Sequence, residues 1–332
     1  MNRAQRENGS VGSRGILGLL LITVGVAALV FFAAGERRRL ELLHSVLSRL
    51  QESSAVVTLD IEPVGKIRMF LNPDDSVITK MVLFWRAFEP KETAWFGRIV
   101  KPGDTVVDIG ANVGHYTLIG SKLVGEKGRV FAFEPDPVSF ALLERNVRLN
   151  GLTNVVLEQK AVSSEPGSIR LYIAADNKGD HRIYQPTGEG REYVDVEAVT
   201  LDDYFAEDSR GIDFVKIDTQ GAEVVILRGM KRILRDSREL HMAVEYWPWG
   251  LSDFGFEDDQ LLAIVRGAGF RIFDLAGRPS TALRETNLAD LRSRYTSRNK
   301  LHSNLLLFPR STPDDRLRAH GKVRLLSELA TR

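Results

Sequence analysis

The chain has 332 residues, 43% of them apolar, which suits one large α/β domain with an appendage and excludes wholesale disorder. Lys and Arg number 45 against 44 Asp and Glu, a balance that argues against a dedicated nucleic-acid binder. The chain has no cysteine, which excludes disulfides, thiolate metal sites and cysteine nucleophiles.

Residues 1–14 form a short N-terminal tail. From Gly15 to Gly35 run 21 residues without a charge. As a helix at about 1.5 Å per residue they span roughly 31 Å, the thickness of a bilayer's hydrocarbon core. A cleaved signal peptide is the rival reading, but its apolar region is usually about 7–15 residues. A single-pass, uncleaved transmembrane helix is therefore expected over 15–35. The tight triplet Arg37, Arg38 and Arg39 leans toward a cytoplasmic C-terminal body. Residues 36–54 read as an amphipathic stalk helix with a stripe of Leu42, Leu43, Val46, Leu47 and Leu50.

The body runs over 55–310, followed by a charged tail over 311–332. Strands Val56–Ile61 and Lys66–Leu71 come first, then a helical pattern near 78–99. After Lys101-Pro102-Gly103 the rhythm alternates. Strands are read at Asp104–Ile109, Arg129–Phe133, Asn154–Leu157, Asp213–Ile217, Leu240–Tyr246, Arg271–Leu275 and Asn304–Phe308. Helices are read at His115–Val124, Pro137–Leu149, Ala222–Leu234 and Glu257–Gly267. Ile169–Ile173 and Tyr193–Val199 look like an added β pair. This alternation implies an α/β fold, a mostly parallel sheet with helices on both faces.

The stretch VVDIGANVGHYTL places Asp108, Gly110 and Gly114 at a strand-to-helix turn. Glycines let the chain turn sharply and let a ligand approach, and the helix start beyond supplies unpaired N–H groups. The G-x-G-x-x-G spacing of a pyrophosphate site is absent. An acid at the mouth of the turn, Asp108, suits a cationic or amine-bearing ligand instead. Glu134, 24 residues after Gly110, falls where an acid takes ribose hydroxyls. A nucleoside with a positive end, such as S-adenosylmethionine, has that character. Asn112 in the turn is expected to offer backbone groups to it.

Five segments then carry a resemblance: KPGDTVVDIGANVGHYTL, VFAFEPDP, VTLDDYF, IDFVKIDTQGAEVVILRGM, and VEYWP with NLLLF. Together they resemble the FkbM family of S-adenosylmethionine-dependent methyltransferases, within the class I Rossmann-like fold. The resemblance covers most of the body. It implies a seven-stranded sheet whose last pair includes an antiparallel strand, Ala161 and Val162 as apolar cover for adenine, and O-methylation of sugars or natural products. Where the family commonly reads K-I-D-x-E-G-x-E, this chain has Gln220 in place of an acid. An amide serves there if the acid only bonds substrate or backbone; a metal or proton role would be weakened or moved.

In an open α/β sheet the site lies beyond the C-terminal ends of the strands. Asp218, Glu223 and Glu245 are expected to gather there, holding substrate hydroxyls, acting as base, or binding a divalent cation through oxygens, though nothing supports a defined metal site. Glu223 could equally favour its helix N-terminus. His181, in the polar loop Ala174–Arg191, is the other candidate base. His115 reads as a helix-start residue, Lys216 as a partner for a nearby acid, Asp136 as a helix cap, and Trp247 with Trp249 as pocket floor or packing. The expected partners are a small-molecule or glycan acceptor and, through 15–35, a membrane, with no nucleic acid; oligomeric state is not legible. Two other readings stay open: a membrane-tethered scaffold with a methyltransferase fold, and a NAD-dependent oxidoreductase, which Asp108 and the missing glycine spacing count against.

Overall fold

The computed structural model describes residues 56–72, 88–275 and 285–313, with Asp75, Thr79, Val82 and Leu283. The anchor expected at 15–35, the stalk at 36–54 and nearly all of the C-terminal tail lie outside the described residues. Among the described residues no helix is long and apolar enough to cross a membrane.

The body opens with a hairpin, β1 (Val56–Ile61) antiparallel to β2 (Gly65–Phe70). Alternation buries Val57, Leu59, Ile67 and Met69 on one face. Helix α1 (Pro90–Ile99) starts on a proline, whose missing N–H costs nothing there. It fills the second half of the helix expected near 78–99; most of the first half lies outside the described residues. Then follow β3 (Thr105–Ile109), α2 (His115–Val124), β4 (Arg129–Phe133), α3 (Pro137–Leu149) and β5 (Val155–Glu158). Asp136 caps α3 by accepting the Ser139 N–H at 2.8 Å, as its sequence position suggested.

An inserted sheet comes next: β6 (Ala161–Val162), β7 (Gly167–Tyr172) and β8 (Tyr193–Val199), in the order β6–β8–β7. The sequence reading held β7 and β8 but not the two-residue β6. The chain continues through α4 (Leu201–Tyr204), β9 (Phe214–Ile217), α5 (Glu223–Arg228), α6 (Lys231–Asp236), β10 (His241–Tyr246), α7 (Pro248–Asp253), α8 (Asp258–Gly267), β11 (Phe270–Asp274), α9 (Leu288–Arg294) and β12 (Ser303–Pro309).

The main sheet has seven strands in the order β11–β12–β10–β9–β3–β4–β5. The neighbours from β5 through β10 run parallel, and β12 is antiparallel to both β10 and β11. The antiparallel strand in the last pair is thus where the resemblance put it. The chain goes from β3 to β4 on one side and later returns to β9 on the other. A crevice opens at such a switch point, beyond the carboxyl ends of the strands.

One expected element divides. Ala222–Leu234 reads as a single helix, yet α5 and α6 are separated at Gly229 and Met230. A Cβ on Gly229 would sit 2.0 Å from the Ser163 carbonyl oxygen, so a second segment passes against the backbone here. Asp202 then takes the freed N–H groups of Arg232 and Ile233.

Candidate active site

At the switch point lies an open cleft, lined by Gly110, Asn112, Glu134, Ala161, His181 and Asp218 among others. The β3–α2 turn forms one wall. Gly110 has φ 79°, and a Cβ there would lie 2.1 Å from the Asp218 carbonyl oxygen, so only glycine lets β3 and β9 approach. Asn112 takes a left-handed φ of 49° and donates its N–H to Glu134 Oε2 at 2.7 Å. The buried Asn146 side chain holds the Val113 carbonyl and bonds both backbone groups of Phe70, tying the turn to α3 and the hairpin.

Glu134 stands at the end of β4, its other oxygen accepting the Asp136 N–H at 2.9 Å. Burial pushes its carboxyl up to about 8 against these two N–H donors. Opposite, Ala161, Val162, Phe133 and Ile226 make an apolar wall. Gly110, Asn112, Glu134 and Ala161 therefore line one cleft, as read from the sequence.

Asp108 and Gly114 do not line it. Gly114 (φ 99°) starts α2 and packs over Leu143, whose Cδ1 would lie 2.6 Å from an added Cβ. Asp108 lies behind the turn rather than at its mouth. Register pairs it with Lys216, so it faces the covered side of the sheet and accepts the Thr117 hydroxyl at 2.7 Å. Its Oδ1 is buried without a hydrogen-bond partner.

On that face stands a cluster of charges. Lys216 donates from Nζ to Asp218 Oδ2 at 2.9 Å and lies 4.7 Å from the Tyr116 ring centroid. Burial works against its charge, but Asp218, Asp108 and Glu89 outweigh it and hold the ammonium above its ordinary range. Gln220 Nε2 bridges Asp218 Oδ1 at 3.2 Å and Glu245 at 3.0 Å. Burial raises Asp218; Lys216 by charge and hydrogen bond, then the Gln220 amide, then His302 by charge, bring it below the usual carboxylate range. Glu245 is pushed well up by burial and by Asp218, Glu223 and Glu89. Glu89, which sequence reasoning missed, accepts the Tyr116 hydroxyl at 2.8 Å, and burial with Asp218 raises it to about 7. An acid ahead of a proline-started helix was the available signal.

The remaining candidates have local duties. Glu223 accepts the N–H groups of Thr219 and Gly221 and the Thr219 hydroxyl, closing the 218–222 turn; it does not line the cleft. His181 lines the cleft, but its Nδ1 accepts the Ala174 N–H at 3.0 Å, which puts the ring hydrogen on Nε2, 3.7 Å from Asp136. In that tautomer its one lone pair is already engaged by the Ala174 N–H, so its geometry is that of a loop clasp. His115 is buried against Thr93 and pushed down to about 3 by burial, a neutral helix-start residue. The guanidinium of Arg182 lies 4.9 Å from the ring centroids of both Trp247 and Trp249 and pairs with Asp180 and Asp253, so the tryptophans pack on the 174–191 loop.

A family profile for the methyltransferase FkbM domain matches residues 108–272. Methyltransferase sdnD of Sordaria araneosa is 30% identical over 200 residues, 50% of this chain and 73% of that protein. The chain belongs to the FkbM family of S-adenosylmethionine-dependent methyltransferases. Within the family, the 31-O-demethyl-FK506 methyltransferase FkbM of Streptomyces tacrolimicus is 29% identical over 210 residues, 52% of this chain and 75% of that protein. Methyltransferase 1 of Beauveria bassiana is 28% identical over 153 residues, and the chain spans 59% of its length.

The cleft fits the FkbM cofactor. Gly110 lines the cleft where β3 and β9 close together, Glu134 can accept ribose hydroxyls, and Ala161 and Val162 offer an apolar surface to adenine. The donor set does not fit a divalent cation: the Lys216 ammonium and the Gln220 amide already occupy the carboxylate oxygens of Asp218 and Glu245. Among the described residues no group of three or more His, Asp or Glu is placed to hold a metal ion.

Proposed function

We propose that this chain is a membrane-anchored O-methyltransferase that methylates a hydroxyl on a sugar, glycan, lipid-linked or natural-product acceptor, with its body on the cytoplasmic face. One observation carries the reading: the cleft lined by Gly110, Glu134 and Ala161 abuts a polar cluster at its Asp218 and Gln220 edge. The FK506 relative, named for a methyl on oxygen, supports the O-methyl part. The uncharged run over 15–35 supports the anchor.

When bound, S-adenosylmethionine supplies a methyl group already activated on a sulfonium. The residues of this chain must align the acceptor oxygen, handle its proton and exclude water. Asp218, kept ionised by Lys216 and Gln220, accepts a hydrogen bond from a neighbouring hydroxyl of the acceptor and so orients the one that reacts. Burial shifts Glu245 and Glu89 toward the protonated form, in which a carboxyl can both accept from and donate to neighbouring hydroxyls of a polyol. The loop carrying Lys178, Gly179 and His181 roofs the cleft. Its clasps are Arg182, His181 and the Asn112 amide, which donates to the Lys178 carbonyl at 3.1 Å.

The test is calorimetric titration of the full chain in detergent with S-adenosylhomocysteine, followed by tritiated methyl uptake across hydroxylated acceptors. Binding that Glu134→Ala weakens, with label on oxygen, supports the proposal. A folded chain that does not bind S-adenosylhomocysteine sinks it and leaves the scaffold reading.

A further inference from the structure

The described residues include four histidines, and three are committed. His115 is buried against Thr93, His181 is pinned to Ala174, and His241 opens β10 at the end of the strand remote from the cleft. The fourth, His302, is exposed, and its ring has no hydrogen-bond partner among the described residues.

Its place is set by strand register. β10 and β12 pair Glu245 with Asn304 and Tyr246 with Ser303, so His302 falls level with Trp247, just past the carboxyl end of β10. Asp218 follows the carboxyl end of neighbouring β9. Strand alternation carries Asn304, and two residues before it His302, to the face of Glu245. Register puts Asp218, past the end of β9, on that same face.

The backbone that presents this ring is fixed on both sides. Before it, Asn299 Oδ1 accepts the N–H groups of Thr296 and Leu301, and Nδ2 donates to the Arg294 carbonyl. The Lys300 carbonyl accepts the Trp247 indole N–H at 3.1 Å, and Lys300 Nζ lies 4.2 Å from the Trp249 ring centroid. After it, β12 runs in the sheet. Lys300 also holds a left-handed φ of 54°, an arrangement uncommon outside glycine that concentrates at functional sites.

We infer that His302 is the base that takes the proton of the acceptor hydroxyl during methyl transfer. The inference deepens the proposed function and rests on it. The hydroxyl O–H bond breaks and its proton goes to the unprotonated ring nitrogen. The oxygen forms the new O–CH₃ bond. The C–S bond breaks with its electron pair retained by sulfur, which becomes a neutral thioether. Positive charge thus passes from sulfonium to imidazolium, and the carboxylate of Asp218, on the same face of the sheet, favours the result. His302 lies outside residues 108–272, the span of the family match.

The experiment uses the full chain in detergent and an electrophilic cofactor analogue with a chloroacetamidoethyl arm where the methyl sits, read by peptide mass spectrometry. An alkyl group on His302 that S-adenosylhomocysteine suppresses is the expected result. In parallel, His302→Ala is expected to bind S-adenosylhomocysteine like the wild type but to lose methyl transfer to n-octyl glucoside by about 100-fold, with no recovery in His302→Gln. Suppressible label on other residues with none on His302 overturns the inference, as does a His302→Ala rate within about threefold of wild type. Loss of S-adenosylhomocysteine binding in His302→Ala also overturns it, since the residue would then be structural. If the wild type itself binds no S-adenosylhomocysteine, the methyltransferase proposal fails first and the role of His302 fails with it.

Discussion

Lys216→Met removes the ammonium that Asp218, Asp108 and Glu89 share, while keeping an apolar stem of similar length against Tyr116. At 2.9 Å and an effective dielectric of about 20, the attraction between Lys216 and Asp218 is about 6 kcal/mol before desolvation. Sparing the ammonium its burial returns part of this, so the expected loss is about 3–5 kcal/mol, as for a broken buried pair. At about 2–4 °C per kcal/mol in a large domain, Tm falls by roughly 6–20 °C near neutral pH.

The pH dependence has a definite sign. In the wild type Asp218 is held low, so its contribution is present above the unfolded carboxylate range and is lost as pH falls through the folded value. Lys216 is held high, so its contribution is lost only as pH rises beyond the ordinary lysine range. In the variant the stranded carboxylates sit above their unfolded values. They destabilise most in the ionised form, so the deficit is largest at about pH 8 and shrinks toward about pH 5.5. Scanning calorimetry of both proteins at the two pH values measures this. A Tm within about 2 °C of wild type at about pH 8, or a deficit that grows on acidification, would refute the reasoning.

Three further outcomes are expected. Affinity for S-adenosylhomocysteine should rise as pH climbs through about 8, because ribose hydroxyls bond better to ionised Glu134, and the slope should vanish in Glu134→Gln; calorimetry across that range decides. Gly110→Ala forces a methyl group against the Asp218 carbonyl at a positive φ, so cofactor binding should drop by at least about tenfold while far-ultraviolet circular dichroism stays native. Arg182→Met strands Asp253, while Asp180 keeps its pair with Arg191, and costs about 3–5 kcal/mol locally; limited proteolysis should cut between 174 and 191 many times faster than in wild type, and equal cutting rates would count against the clasp.

The part of the candidate site that lines the cleft was legible because its signals are local. Gly110, Asn112, Glu134 and Ala161 each sit at a strand end, and strand ends follow from hydrophobic runs. Asp108 was identified as important but turned the wrong way. Its direction depends on register with Lys216, more than 100 residues on, and a one-residue slip would reverse it. The same distance effect hid Glu89, which joins the cluster through the Tyr116 hydroxyl, 27 residues on. His181 misled because a histidine in a long polar loop looks available, and the Ala174 N–H that occupies Nδ1 leaves no sequence signal. The division of the expected 222–234 helix came from Ser163 pressing on Gly229, again a contact between distant segments.

The left-handed backbone at Glu89, Asn112, Gln220 and Lys300 has a consequence for anyone selecting sturdier variants. Each of these residues carries a torsional cost of about 1 kcal/mol or more that glycine would avoid. A thermal screen blind to turnover should therefore enrich glycine at these four positions, and a screen on methylation should discard the same clones. Counting where the two selections disagree would outline the working surface of the enzyme without a bound ligand.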